Sequence, residues 1–325
     1  GLAAPPEPAA GQLLINGAGA TFPYPIYAKW FDEYHKLRPQ VQINYQSIGS
    51  GGGIRQLQAG TVDFGATDSP MTDEQIAKSP FRVLHFPTVI GAVAPTYTVP
   101  GLNRELNFTA EALAGIFLGE ITKWNAPELV KANPGAPLPA SSIVVVHRSD
   151  GSGTTFVWTD YLSKVSPVWK SKVGSGAAVR WPVGLGAKGN EGVAGLVRQT
   201  PNAIGYVELV YALQNKMPTG RVRNADGVFV KADLSSVTAA AASTAMPDDF
   251  RVSITNPHGK NAYPLASFTW LLAPARIHDV AKRNVIKDFL RWMLVDGQRL
   301  AAPLGYAPLP ESVIARELKA IAKIQ

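Results

Sequence analysis

The sequence predicts an α/β protein of about two domains, built on an open and mostly parallel sheet. Its 325 residues are 46% apolar and 17% charged, which is an ordinary globular composition. At roughly 100–200 residues per domain, this length suits two domains. From residue 13 onward, each apolar strand-like run is followed by a turn and then by a helix or another turn. This order of elements is typical of parallel βα units.

Periodicity predicts the first helix and the strands around it. A short apolar run at 13–15 forms a strand, and Pro23 and Pro25 suit the first turn of the helix that follows. Alternating apolar residues predict further strands at 41–48 and 61–66. The predicted buried face of the helix consists of Ile26, Trp30, Tyr34 and Leu37.

The same pattern continues through the rest of the chain. The uncharged stretch 83–103 contains three prolines, which exclude a membrane helix and favour a buried strand and turn. We expect Gly297 to lie just past the end of a long helix and to adopt the left-handed conformation that ends it. Further helices are predicted after Thr109, through Phe156 and Tyr161, and at 192–199, 235–245, 276–295 and 311–324. Further strands are predicted at 143–146, 204–209 and 268–272.

The composition excludes several classes of protein. Cysteine is absent, so there is no disulfide framework, no cysteine-ligated metal and no thiol nucleophile. The 31 basic and 24 acidic residues give a net charge of +7, but the basic residues are scattered, and we expect no nucleic-acid partner. Residues 1–8 lack the basic start and apolar core of a signal peptide. We expect them to be the leader of a chain whose signal peptide has been removed.

Three turns rich in Gly, Ser and Thr follow predicted strands, at 19–22, 49–53 and 151–154. Turns of this kind present unpaired backbone N–H groups at the positive end of a helix, which suits an anion. They are also typical of tight turns that merely cap a helix. Because three of them occur in one α/β chain, the sequence indicates an oxyanion site while leaving the capping interpretation open.

Charged residues accompany these turns. Arg148 and Asp150 form either a guanidinium aimed at an anion and held by a carboxylate, or a surface ion pair. Asp68 is either the turn residue before Ser69-Pro70 or an acceptor for a proton that the anion carries. The second interpretation favours phosphate, because phosphate keeps a proton at neutral pH and sulfate does not.

Catalytic signatures are missing from the sequence. There is no P-loop motif and no G-x-S-x-G nucleophile elbow. The five histidines are far apart in sequence and form no metal-binding motif. A match to G-x-G-x-x-G at 184–189 is discounted, because Trp181-Pro182 leaves little room for a strand before it. We expect no catalytic residue, no metal and no cofactor.

Long stretches of the chain after Gly11 resemble the PstS family, the periplasmic phosphate-binding proteins of bacterial ABC-type phosphate importers. The matching stretches, in the order of the family, are 17–23, 48–53, 62–68, 150–154, 181–186 and 203–208. The resemblance implies the type II periplasmic-binding-protein fold, with two α/β lobes and a ligand cleft between them. It implies a discontinuous lobe I at 1–92 plus 256–325, and a lobe II at 93–255.

The resemblance also implies how one dehydrated phosphate is held between the lobes. Thr21 and Phe22 would donate through backbone N–H groups, and Asp150 would support Arg148. Asp68 would accept the proton of phosphate and thereby exclude sulfate. The implied phosphate ligands are Thr21, Phe22, Ser50, Asp68, Arg148, Ser152, Gly153 and Thr154.

The implied function is high-affinity binding of inorganic phosphate and its delivery to the permease subunits of an ABC importer. The protein would be a monomer, located in the periplasm or otherwise outside the cytoplasm, and not an enzyme. Gly51 and Thr67 stand where relatives often have Ser, which affects only the surroundings of the ligand. Three alternatives remain open. They are a binding protein for another tetrahedral oxyanion, such as sulfate, a secreted phosphoesterase, and a structural or surface-adhesive protein that uses its net positive charge.

Overall fold

The structure is a computed structural model that describes residues 11–325, so the expected leader at 1–8 lies outside the described residues. The strands are β1 (Leu13–Gly19), β2 (Val41–Ser47), β3 (Phe64–Thr67), β4 (Val83–Thr98), β5 (Asn107–Phe108), β6 (Val144–Arg148), β7 (Leu185–Ala187), β8 (Ala203–Glu208), β9 (Arg221–Arg223), β10 (Phe229–Val230) and β11 (Ala266–Pro274). The helices are α1 (Tyr24–Leu37), α2 (Ser50–Gln58), α3 (Asp73–Lys78), α4 (Ala110–Leu118), α5 (Pro127–Ala132), α6 (Gly153–Val165), α7 (Pro167–Lys172), α8 (Gly189–Gln199), α9 (Leu209–Gln214), α10 (Leu234–Ala242), α11 (Val280–Val295), α12 (Ala301–Leu304) and α13 (Glu311–Ala320).

An eight-stranded mixed sheet has the order β2-β1-β3-β11-β4-β8-β6-β7, and a small second sheet has the order β10-β9-β5. In the large sheet, β1 pairs in parallel with β2 and β3, and β6 pairs in parallel with β7 and β8. The three central pairings, β3 with β11, β11 with β4, and β4 with β8, are antiparallel. The predicted α/β class is therefore confirmed, but the expectation of a mostly parallel sheet is wrong at the centre of the sheet.

The central strand β4 is 16 residues long and contacts both halves of the large sheet. Its residues 83–92 pair with β11, and its residues 93–98 pair with β8. Pro87 lies where the register with β11 shifts between Thr269 and Trp270. A proline is tolerated at such an irregularity because the ladder needs no N–H donor there. The buried strand predicted from the uncharged stretch 83–103 is confirmed.

Side-chain caps determine where several helices begin. Thr109, Ser152 and Asp279 each accept a hydrogen bond from the backbone N–H three residues further on, at 3.0–3.1 Å. These bonds satisfy donors that the first turn of a helix leaves unpaired. The cap at Asp279 starts α11 at Val280, four residues later than the predicted start of the long helix.

Two predictions about helix details are wrong. Leu37 is 54% exposed, and the face of α1 that packs against the core includes Tyr27 and Phe31 instead. Gly297 does not terminate α11 in a left-handed conformation, because the chain continues there into a 3₁₀-helix, Gly297–Leu300. The indole of Trp30 donates to the carbonyl of Gly297 at 2.8 Å, which fixes this turn against α1.

Apolar side chains from both ends of the large sheet form the core. The largest fully buried side chains include Trp30, Trp124, Trp158, Trp169 and Trp270. Burial of such aromatic residues is a dominant source of stability in a domain of this size. Among residues 11–325, no helix combines the length and the apolar character needed to cross a membrane.

Candidate anion-binding site

Polar residues from five segments of the chain meet in one buried cluster. The segments are the turn after β1, the start of α2, the end of β3, the turn between β6 and α6, and the start of α8. Hydrogen bonds join these segments to one another across the sheet. The structure brings all of the residues named from the sequence together here: Thr21, Phe22, Ser50, Asp68, Arg148, Asp150, Ser152, Gly153 and Thr154.

Ser50 joins the end of β3 to the start of α6. Its hydroxyl oxygen accepts hydrogen bonds from the backbone N–H groups of Asp68 and Gly153, each at 3.1 Å. A Cβ at Gly153 would fall 2.5 Å from both Ser50 Oγ and Asp68 Oδ2, so only glycine fits at this position. In this arrangement the Gly153 N–H is used within the protein, and it can reach an anion only when its bond to Ser50 opens.

Arg148 is buried and held by Asp150. Its Nε and Nη2 each donate to one carboxylate oxygen of Asp150 at 2.7 Å, which is the bidentate geometry that fixes a guanidinium. Burial disfavours the charge on Asp150, but the hydrogen bonds and charge of Arg148 hold the pKa of that carboxyl below its usual value. The alternative of an exposed surface ion pair is therefore wrong for this pair.

The guanidinium of Arg148 has N–H donors with no acceptor among the described residues. An arginine has five N–H groups, two are used by Asp150, and one contacts Thr21 Oγ1 at 3.4 Å. Two donors thus have no acceptor within the described part of the chain, 11–325. A buried guanidinium with unused donors is suited to an anion.

Asp68 is fully enclosed at the end of β3, where only 1% of its surface is exposed. Its Oδ1 accepts a hydrogen bond from the hydroxyl of Thr269 on β11 at 2.7 Å. Burial raises the pKa of Asp68 to about 7, even though Thr269, the charge of Arg148 and Ser50 each lower it. The sequence predicted a carboxylate that only accepts hydrogen bonds, whereas the buried group can both hold and accept a proton near neutral pH.

Several backbone N–H groups in the cluster are unpaired. The amides of Thr21, Phe22 and Thr154 are buried, and none has an acceptor among residues 11–325. Buried backbone donors are almost always paired in proteins, so a group of unpaired ones indicates a missing acceptor. The acceptor would be an anion, since the same cluster contains the free donors of Arg148.

Comparisons with known proteins agree with this geometry. A family model described as a PBP superfamily domain matches residues 3–296. The phosphate-binding protein PstS of Xylella fastidiosa (strain Temecula1) is 46% identical over 306 residues, which cover 93% of this chain and 83% of that protein. The chain belongs to the PstS family. The phosphate-binding protein PstS of Pasteurella multocida is also 46% identical, over 93% of this chain and 88% of that protein.

Solved structures show that the PstS-family chain has the expected fold. The structure of a high-affinity periplasmic phosphate-binding protein, PfluDING, bound with phosphate at pH 8.5, has a TM-score of 0.76 to this chain. The two are 20% identical, and the match covers 95% of this chain and 93% of that chain. The predicted periplasmic-binding-protein fold is therefore confirmed.

The sequence analysis missed Asn190, the buried amide that connects both halves of the site in this PstS-family protein. Its Nδ2 donates to Thr21 Oγ1 at 2.7 Å and to Thr154 Oγ1 at 3.0 Å, and its Oδ1 accepts from the N–H of Glu208 at 2.8 Å. One signal was present in the sequence. Gly189 opens α8 after a short strand, with φ at +74°, and so repeats the glycine turn seen at the other segments.

The two departures from the family pattern lie beside the cluster. Gly51 donates its N–H to the carbonyl of Gly151 at 3.1 Å, which joins the two glycine turns directly. The hydroxyl of Thr67 bonds the backbone of Ser69 and so stabilises the turn after β3. Neither contact requires a serine. Within the described residues, no group of three His, Asp or Glu side chains is arranged to hold a metal ion.

Proposed function

We propose that the protein binds inorganic phosphate with high affinity and delivers it to the membrane permease of an ABC-type importer. Its relatives in the PstS family are phosphate-binding proteins by name. The observation that carries the proposal is the set of buried, unpaired donors beside a carboxyl group that exchanges a proton near neutral pH. Phosphate suits both parts of the site, because it accepts several hydrogen bonds and brings its own proton.

The ligands in this proposal are Thr21, Phe22, Ser50, Asp68, Arg148, Ser152, Gly153 and Thr154, with Asp150 orienting Arg148. Hydrogen bonds to a charged group contribute about 1.5–3 kcal/mol each. Several of them together can offset the large cost of removing water from the anion. Affinity would therefore depend on the number of aligned donors rather than on net charge, since Asp150 already neutralises Arg148.

We further propose that lobe I comprises 1–92 plus 256–325 and that lobe II comprises 93–255. The pairing of β4 supports this division, because its partner changes from β11 to β8 between residues 92 and 93. The donors then come from both lobes, since Thr21 and Ser50 belong to the first and Arg148 to Thr154 belong to the second. A ligand held by both sets favours the closed arrangement of the lobes.

We also propose a location, an oligomeric state and a partner for the protein. It would act as a monomer in the periplasm or elsewhere outside the cytoplasm, docking on the permease subunits of the importer. It would use no cofactor, bind no nucleic acid and catalyse no reaction, because holding phosphate requires no bond to be made or broken.

The test is to assay the ligand that the protein carries. Purified protein is unfolded mildly, the released small molecules are collected, and inorganic phosphate is measured against protein concentration. We expect close to one phosphate per chain, or one phosphate bound after the protein is stripped and reloaded. Release or uptake of sulfate in place of phosphate would support another oxyanion-binding protein. Hydrolysis of a chromogenic phosphoester, with or without added zinc, would support the phosphoesterase alternative.

A further inference from the structure

Three consecutive carbonyl groups in the turn after β1 each accept a hydrogen bond from a tyrosine hydroxyl. Tyr45 donates to the carbonyl of Ala20 at 2.6 Å. Tyr211 donates to the carbonyl of Thr21, and Tyr306 donates to the carbonyl of Phe22 at 2.6 Å. We call this arrangement of Tyr45, Tyr211 and Tyr306 the tyrosine clamp.

The three tyrosines come from distant parts of the chain. Tyr45 lies on β2, Tyr211 lies on α9, and Tyr306 follows α12. Tyr211 and Tyr306 are buried, and Tyr45 is partly buried. Burial raises the pKa of all three hydroxyls above the usual tyrosine value, so each stays protonated and can act as a donor. The clamp therefore fixes one short turn from three directions.

The three tyrosine hydroxyls differ in which backbone N–H shares a peptide group with the carbonyl that they contact. The peptides of this turn are trans, so each N–H points away from the carbonyl of the same peptide group. The carbonyl of Ala20 shares its peptide group with the N–H of Thr21, and the carbonyl of Thr21 shares its peptide group with the N–H of Phe22. The carbonyl of Phe22 is followed by Pro23, which has no N–H.

The two N–H groups opposite Tyr45 and Tyr211 are the unpaired amides of the candidate site. Neither Thr21 N–H nor Phe22 N–H has an acceptor in the part of the chain that the structure describes. A hydrogen bond to a carbonyl oxygen polarises its peptide group and strengthens the N–H on the other side, by roughly 10–30% per bond. The hydroxyl also fixes the plane of the peptide, and therefore the direction of the N–H.

We propose that Tyr45 and Tyr211 are positioning residues that aim and polarise the anion-binding amides of Thr21 and Phe22. This inference rests on the proposed function, since it assigns these residues to the same phosphate site. Tyr306 makes the same kind of bond to the same turn, but no donor lies behind it. It anchors the backbone without acting on the anion.

The experiment compares three matched variants, Tyr45→Phe, Tyr211→Phe and Tyr306→Phe, each of which loses one hydroxyl bound to a carbonyl of this turn. Phosphate affinity is measured by titration calorimetry on ligand-stripped protein at pH 8. We expect Tyr45→Phe and Tyr211→Phe to bind phosphate about three- to fivefold more weakly than the wild type. Tyr306→Phe should bind within about twofold of the wild type, because no anion-binding N–H depends on it.

A second measurement reports on the amides directly and does not depend on affinity or on small losses of stability. The amide protons of Thr21 and Phe22 are followed by NMR at saturating phosphate. Both should move downfield when phosphate binds to the wild type. The shift of Thr21 should shrink in Tyr45→Phe, the shift of Phe22 should shrink in Tyr211→Phe, and both should persist in Tyr306→Phe.

The outcomes separate this inference from the proposed function. If the wild type binds no phosphate, the proposed function fails and the inference fails with it. If the wild type binds phosphate but all three variants weaken binding equally, or Tyr45→Phe and Tyr211→Phe bind normally, the positioning role is overturned while phosphate binding stands. Unchanged amide shifts in both of those variants would also overturn it.

Discussion

Asp68 illustrates how one residue can make anion selection depend on pH. Burial raises the pKa of Asp68 to about 7, so the ligand-free protein changes protonation at that carboxyl near neutrality. Sulfate carries no proton and can be accepted only when Asp68 is protonated. Phosphate brings its own proton and has no such requirement.

We therefore predict that competition by sulfate weakens about tenfold for each pH unit above pH 7, while phosphate affinity changes far less. The sign follows from the raised pKa, since the protonated form that sulfate needs becomes rare as pH rises through that value. Asp68→Asn should make sulfate binding stronger at pH 8 and independent of pH. Competition titrations at pH 6, 7, 8 and 9 measure this. If the wild type and Asp68→Asn reject sulfate equally at every pH, Asp68 does not select the anion and serves only as a turn residue.

Arg148 is the only charged donor that the proposal assigns to the anion. Replacing Arg148 with Ala should weaken phosphate binding by about 2–5 kcal/mol, because it removes a buried charged donor and leaves Asp150 without its cation. The matched control is Arg251→Ala, which removes an arginine that is also held by carboxylates, those of Asp73 and Asp249, but lies outside the site. Calorimetry on both folded variants is the measurement. Similar phosphate affinity in the two variants would contradict the role of Arg148.

At the residue scale, local pattern indicated the cap at Ser152 and Gly153 and the pairing of Arg148 with Asp150. It left their role toward an anion open, and that expectation came from the resemblance to the PstS family. Asn190 could not be inferred in the same way, because its partners Thr21 and Thr154 are 169 and 36 residues distant in sequence. The raised pKa of Asp68 could not be inferred from the sequence either, since it depends on burial by residues that only the fold brings together.

At the scale of elements, α13 contains a buried acid with no partner. Both carboxyl oxygens of Glu317 are buried and have no hydrogen-bond partner within residues 11–325. Burial raises the pKa of Glu317 well above its usual value, so the folded protein holds it protonated. The unfolded chain releases that proton above pH ~4.3.

Because the folded state binds this extra proton, the contribution of Glu317 to stability falls as pH rises. We predict that Glu317→Gln gains stability relative to the wild type by about 1.4 kcal/mol for each pH unit between pH 5 and the raised pKa. Denaturant unfolding at pH 5, 6 and 7 measures the difference. Glu311→Gln, at the exposed start of the same helix, is the control. Parallel behaviour of the two variants would mean that Glu317 is not buried as a neutral acid.

Sequence pattern predicted most elements at this scale but not the direction of the strands. Periodicity reports which face of an element is buried, and it identified the strands near β2, β6 and β8 and most of α1. It does not report pairing, so the antiparallel insertion of β4 and β11 at the centre of the sheet was missed. The end of α11 at Val295 was predicted, but the 3₁₀ turn that follows it was missed, because the bond from Trp30 to Gly297 joins residues 267 positions apart.

At the scale of the whole molecule, direct contacts join the two proposed lobes at the site. Gly51 bonds the carbonyl of Gly151, and Ser50 bonds Gly153, so the glycine turns of both lobes touch. The lobes themselves are linked by β4, whose pairing changes partner near residue 92. A phosphate held by donors from both lobes favours their closed arrangement, so the lobes are expected to open when it leaves.

We predict that small-angle scattering shows a smaller radius of gyration with saturating phosphate than in stripped protein. Arg148→Ala, which removes a donor from one lobe, should need more phosphate to reach the same compaction. Sodium chloride at matched ionic strength is the control for a nonspecific effect of salt. An unchanged radius in demonstrably ligand-free protein would mean that the lobes are closed before phosphate binds.

In the proposed site, donors from both lobes enclose one phosphate ion. The most direct test is a calorimetric titration of stripped wild-type protein with phosphate at pH 8, followed by the same titration with sulfate. We predict one tight phosphate site per chain and much weaker binding of sulfate at this pH. Absence of phosphate binding, or equal binding of the two anions at this pH, would contradict this proposal.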